Sequence, residues 1–294
     1  MFAKLTRAEY EAIDALNASG AKLLLPPHGS PAKFFRSLTA PKVDKPAWAF
    51  GRYFHALELE PEEVALRFST GPDLSQVRTK DGKPAANPAA TAEGKALVAE
   101  WYALNPGVTV LSPDETALGV QMLGVLRANA AWQALHEDFL AEVRNEWSLS
   151  WTDPATGVAC KGQADRIILG DSPVIIDLKT DGGADYGGGA VEWEAIRWGW
   201  HRQAAWYVDG LAANGYPGAK FVWAVVEKEP PHDVAIYTAS PELLEAGRAE
   251  MRLACEVYAG CRESGIWPSA QDAGMVPRVL GVPRGYKGPQ LGGW

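Results

Sequence analysis

The chain has too few cysteines for a disulfide framework. Cys160, Cys255 and Cys261 are an odd set of three in 294 residues, and they read as reduced, mostly buried thiols. Three also fall short of the four thiolates that hold an iron–sulfur cluster. Long apolar runs are missing too: none approaches the roughly 20 residues of a membrane-spanning helix. The start, Met1 to Arg7, lacks a secretory apolar core, so a soluble cytoplasmic protein with no membrane partner is expected. Positive charge is scarce, with 28 Lys and Arg against 36 Asp and Glu for a net charge of −8. That balance argues against a broadly basic nucleic-acid surface. Basic residues are grouped only locally, at Lys33, Arg36, Lys42, Lys45 and Arg52, and at Arg278, Arg284 and Lys287.

What is present suffices for a sizeable core, since 47% of the residues are hydrophobic. Helical periodicity runs through Arg7 to Asn17, Pro31 to Leu38, Ala47 to Leu59, Ala92 to Leu104 and, after the start signal Ser112-Pro113-Asp114-Glu115, Ala117 to Ala130. Three β-rich segments follow, at about 142–151, 158–169 and 174–179. A loop with Gly182, Gly183, Gly187, Gly188 and Gly189 comes next, then a helix over Glu194 to Asn214. Strands at 220–227 and 233–238 and a long helix from Pro241 to Ser264 complete the series. The glycine loop lacks the Gly-Lys-Ser/Thr ending of a nucleotide-binding loop and reads as a mobile segment beside the site. The pattern predicts one mixed α/β domain over 1–268, with a helical N-terminal part to about 140, a core over 141–268, and a Gly/Pro-rich arm over 269–294.

Charge intrudes into the apolar strands at three positions. Asp165 lies on the second strand, and Asp177 and Lys179 lie two apart on the third, so the latter pair shares one face while Leu178 takes the other. The turn Gly170-Asp171-Ser172-Pro173 predicts an antiparallel hairpin that brings Asp165 beside Asp177. Buried carboxylates are costly unless compensated, and hard oxygen donors of this kind suit Mg²⁺ or Mn²⁺. The alternative for the isolated triplet is a surface ion pair across a hairpin.

At these residues the chain resembles the PD-(D/E)XK nuclease superfamily. Three further segments resemble its RecB-type members, in the form found in RecE-like (exonuclease VIII) proteins. Gln203 and Tyr207 match a Gln-x-x-x-Tyr motif, and their i, i+4 spacing places them on one helix face. Gly51, His55, Glu60 and Pro61 match a Gly-x-x-x-His-x-x-x-x-Glu-Pro helix, and Glu227 to Pro231 match a Glu-Lys-x-Pro-Pro segment. Glu146 falls where relatives often carry an acidic residue; the alternative is an exposed strand glutamate. For Gln203 and Tyr207 the alternative is a packed amphipathic helix, whereas His201 reads as a surface or DNA-side residue. Among the tryptophans, Trp193, Trp198 and Trp200 are candidates for stacking on bases, with core packing as the alternative.

The resemblance implies a PD-(D/E)XK core, a central mixed sheet flanked by helices. It implies a Mg²⁺-dependent exodeoxyribonuclease acting 5′ to 3′ on double-stranded DNA ends, leaving 3′ single strands for a single-strand annealing recombinase. A DNA-enclosing homo-oligomer goes with that activity. His55, Asp165, Asp177 and the Leu178 backbone carbonyl are then the metal ligands. Lys179 acts on the attacked phosphodiester, and Gln203 and Tyr207 hold DNA or the lysine. An endonuclease or flap nuclease using the same residues, or a non-catalytic DNA-binding scaffold, are the alternatives.

Overall fold

The computed structural model describes residues 2–26, 29–41, 46–137, 141–181 and 190–269. Lys42, Lys45, the glycine loop and the arm from residue 270, with Arg278, Arg284 and Lys287, lie outside the described residues. In chain order the elements are β1 (Phe2–Lys4), α1 (Arg7–Ala12), β2 (Leu16–Asn17), α2 (Ala18–Leu24), α3 (Pro31–Thr39), α4 (Pro46–Leu59), α5 (Val64–Arg67), β3 (Phe68–Ser69), α6 (Ala92–Leu104) and β4 (Thr109–Val110). They continue with α7 (Pro113–Ala128), α8 (Ala130–Ala134), β5 (Glu142–Thr152), β6 (Ala159–Leu169), β7 (Val174–Asp181), α9 (Ala190–Trp198), α10 (Trp200–Ala213), β8 (Lys220–Glu227), β9 (Val234–Thr238) and α11 (Pro241–Ser264).

A mixed sheet of order β1-β5-β6-β7-β8-β9 forms the centre, with β2 added alongside β6. Strands β5, β6 and β7 form an antiparallel meander, and β8 then joins β7 in parallel. A parallel neighbour demands a crossover, and α9 and α10 supply it. The sheet is covered on both faces. On one side Ile167, Ile175, Phe221, Trp223 and Val225 pack against Ala204, Val208 and Leu211 of α10. On the other, Ile168, Ile176, Leu178, Val222 and Val226 meet Phe50 and Phe54 of α4 and Met122 and Leu126 of α7. Burial on both faces explains why β8 reads Phe-Val-Trp-Ala-Val-Val without a polar interruption. The fold is thus the expected central mixed sheet between helical layers.

Two boundaries differ from the periodicity. The first helix stops at Ala12, because Leu16 and Asn17 leave it to pair in parallel with Cys160 and Lys161 of β6. The Lys161 ammonium secures that exit, donating to the carbonyls of Tyr10 and Ile13 at 2.8 and 2.7 Å. The helix expected over Glu194 to Asn214 is two helices. Gly199 sits between them at φ 69°, in the left-handed region that glycine adopts without penalty. All three cysteines are free and buried, as expected. No helix among the described residues is long and apolar enough to cross a membrane.

Candidate active site

The site lies where β5, β6 and β7 lose their regular pairing. Register places Asn145 opposite Arg166 and Trp147 opposite Ala164, but the intervening pair, Glu146 and Asp165, is missing from the ladder. Glu146 has φ 51°, a conformation uncommon for a residue with a Cβ. Side-chain alternation slips by one here on both strands. Trp147 packs on the α10 side, while Asn145, two residues earlier, reaches α4 and donates to the Leu59 carbonyl at 2.8 Å. Ala164 and Ile167, three apart, likewise both face α10. The slip leaves Glu146 and Asp165 together on the side of His55.

His55 Nδ1 is 3.6 Å from Asp165 Oδ2, and ligand atoms of His55, Glu146 and Asp165 all lie within 4.8 Å of one another. Burial and the neighbouring Asp165 charge push the Glu146 carboxyl up to about 8. The Asp165 carboxyl is also raised, by burial above all; Asp177 adds to that shift, and His55, Lys179 and the Leu178 N–H oppose it. Beyond the pair Arg166↔Ile176 no backbone partner meets β7 from β6. Instead the Leu178 N–H donates to Asp165 Oδ2 at 2.8 Å.

Asp177 and Lys179 face α10. Lys179 Nζ forms an ion pair with Asp177 Oδ2, and Gln203 touches both, its Nε2 donating to Asp177 Oδ1 at 2.5 Å and its Oε1 accepting from Lys179 Nζ at 3.3 Å. Tyr207, one turn further along α10, points to the backbone of β6, its hydroxyl donating to the Gln163 carbonyl at 2.8 Å. Burial raises that hydroxyl well above the ordinary tyrosine range. Gly162 makes room for the ring: a Cβ there would stand 2.7 Å from Tyr207 Cε1.

A buried ionic network, absent from the sequence reading, fixes α4 over these strands. The Arg166 guanidinium meets Glu58 Oε1 at 2.9 Å, Asn145 Oδ1 at 2.8 Å and His136 Nε2 at 2.9 Å. Arg127 donates to the second Glu58 oxygen at 2.8 Å. His136 Nδ1 lies 2.8 Å from the Trp132 carbonyl, so it carries the proton and Nε2 accepts from Arg166. The available signals were Glu58 three residues after His55 in an apolar helix, and Arg166 adjoining Asp165 in an apolar strand; such charges occur buried when paired. Glu60 pairs with Arg67 at 2.7 Å and with Lys4 at 3.2 Å. The Lys228 N–H bonds the Asp181 carbonyl at 2.8 Å and closes the end of β7.

His201 corrects its sequence reading. It is 1% exposed, not a surface residue, because Gly247 of α11 sits directly on its carbonyl, where a Cβ would stand 2.1 Å away.

The model of a PDDEXK-like domain of unknown function, DUF3799, matches residues 19–275. The chain belongs to this PDDEXK-like family. No curated protein matches it significantly in sequence. A solved structure from Eubacterium rectale, described as "Putative exonuclease", is 14% identical over 95% of this chain and 96% of its own, with a TM-score of 0.57. That likeness concerns the fold. An alkaline exonuclease from Laribacter hongkongensis is 13% identical over 73% of this chain and 98% of its own, at a TM-score of only 0.27.

The PDDEXK-like family implies a divalent cation, and the donors present fit one. Two half-buried carboxylates held together, each binding its proton more tightly than usual, are the arrangement a cation relieves, and imidazole and carboxylate donors suit such an ion.

Proposed function

We propose that the protein is a metal-dependent nuclease that hydrolyses DNA phosphodiester bonds at the junction of β5, β6 and β7. The observation that carries this reading is the convergence of the trio His55, Glu146 and Asp165 with Asp177, Lys179 and Gln203 on one interrupted stretch of sheet.

In this reading His55, Glu146 and Asp165 hold the ion, with Asp177 and the Leu178 carbonyl completing the set. When bound, a divalent cation such as Mg²⁺ or Mn²⁺ would lower the pKa of water and neutralise phosphate charge. The chain's own contribution is positional. Lys179 offers an ammonium to the negative charge that grows on the attacked phosphate, where a fixed cation is worth most. Gln203 holds that ammonium and the Asp177 carboxylate in one orientation before substrate arrives, so no side-chain freedom is lost during the reaction. Tyr207 acts one step back, fixing the β6 backbone beneath Asp165.

The finer assignment is a RecE-like 5′ to 3′ exonuclease that starts at double-stranded ends and leaves 3′ single strands for an annealing recombinase. Its support is the four sequence motifs in order. With a net charge of −8, general surface attraction for DNA is weak, which favours enclosure of the duplex by a homo-oligomer.

The test is end-labelled linear duplex and covalently closed circular duplex, incubated with Mg²⁺ or with EDTA. Degradation of the linear DNA alone, lost in EDTA and in folded Asp177→Ala, is the expected result. Nicking of closed circles moves the assignment to an endonuclease. Cleavage that survives both EDTA and Asp177→Ala removes the proposed site.

A further inference from the structure

Helix α9 has two unlike faces. Val191, Ala195 and Gly199, spaced four apart, are buried against the body of the protein. On the open side Trp193 is 78% exposed, Trp198 54% and Ile196 42%. Two solvent-exposed indoles on nine residues are a large apolar outlay for a helix that already has a buried stripe.

The position of α9 says what this face meets. Its last carbonyl, that of Trp198, accepts a hydrogen bond from Lys22 Nζ. Two residues on, the Trp200 ring lies 5.9 Å from Lys179 Nζ. Burial lowers the Lys22 ammonium, and the charges of Arg202 and Lys179 lower it further, which sets the three cations within electrostatic reach of one another. Arg197 emerges between the exposed indoles, and Glu194 beside it is engaged by Arg197 at 3.1 Å and by Trp198 Nε1 at 2.5 Å. The Trp198 ring therefore stands 5.3 Å from the Arg197 guanidinium, and α9 ends two residues before the ring that lies beside Lys179. This is the composition of a single-strand-binding surface, in which cations follow the backbone and rings take the bases.

We propose that the outward face of α9, through Trp193 and Trp198, stacks unpaired nucleobases of the strand whose phosphodiester lies at Lys179. The proposal rests on the nuclease reading for its substrate. Indole faces accept any base, so the contact orders the strand without selecting sequence.

Direct binding without turnover tests it. Fluorescence anisotropy in Ca²⁺ compares an oligothymidylate with an abasic oligonucleotide of the same length. Trp193→Ala is expected to weaken oligothymidylate binding roughly tenfold, the loss of about one stacked base, and to leave the abasic probe unchanged. Trp193→Phe should retain most of the affinity, and Trp198→Ala should show the same selective loss. Equal weakening on both probes, no weakening on either, or a wild-type protein that binds both probes equally overturns the proposal. Cleavage of linear duplex by the wild type is scored separately. A cleaving enzyme without base-dependent binding loses only this inference, and a base-stacking protein that cleaves nothing loses only the nuclease reading.

Discussion

Gln203 joins Asp177 to Lys179: one amide donates to the carboxylate at 2.5 Å and accepts from the ammonium at 3.3 Å. Both ends of the side chain are used, so neither a hydrocarbon nor a carboxylate replaces it. Gln203→Ala is expected to lower kcat on the order of a hundredfold, the cost of a misplaced reacting group, with little change in KM. Lys179→Ala should lose more rate while keeping DNA affinity in Ca²⁺. Steady-state kinetics beside Ca²⁺ binding checks both; a parallel loss of affinity in Lys179→Ala would make it a binding residue.

Glu146→Gln separates the metal from the fold. In EDTA the wild type must keep a half-buried carboxyl near its neighbour Asp165, so the amide variant is expected to melt higher than wild type. Added Mg²⁺ should then raise the Tm of the wild type more than that of the variant, because a ligand is gone. Thermal melts with and without metal read both effects, and a variant less stable than wild type in EDTA contradicts the assignment.

Gly162→Ala should destabilise the protein by about 1–3 kcal/mol, the usual cost of overpacking. The new methyl collides with the Tyr207 ring. Pairing it with Tyr207→Leu, which removes the ring edge, is expected to recover part of that loss. Chemical denaturation of the two single variants and the double variant measures the coupling.

The His136 network predicts an acid-side loss of stability. Burial holds the His136 imidazole below the ordinary histidine range. Once pH falls through about 6.5, the unfolded imidazole binds a proton that the folded one refuses. Unfolding is thereby favoured as pH drops, and the contribution is fully present above that range. His136→Gln keeps an acceptor for Arg166 without a titrating ring, so its stability should fall less between pH 7 and pH 5. Equal pH slopes in the two proteins would count against the network.

Most of the architecture was legible in sequence because it rests on local patterns. The buried β8 run, the Ser112 helix start, and the Asp171-Ser172-Pro173 turn each report a short-range preference, and their elements lie where those patterns put them. The spacing of Asp177 and Lys179 likewise dictated a common face. The break at Gly199 is not legible in the sequence because the apolar period of α9 and α10 continues across it; the left-handed backbone at φ 69° requires the glycine, and the Lys22 chain passing beside it adds to the crowding.

Sequence by itself determined the residue types of the site and the strands and helices that bear them. Tertiary structure decided their relations. Alternation along an unbroken strand does not bring Glu146 and Asp165 to His55; that required the paired slip of β5 and β6, with Glu146 at φ 51°. The Glu58–Arg166 network that seats α4 joins residues 108 positions apart, and Tyr207 finds its partner 44 positions away. Such pairings depend on how two surfaces meet, and the physical forces that choose them, burial of charge and fit of a ring over a glycine, act only once the chain has folded.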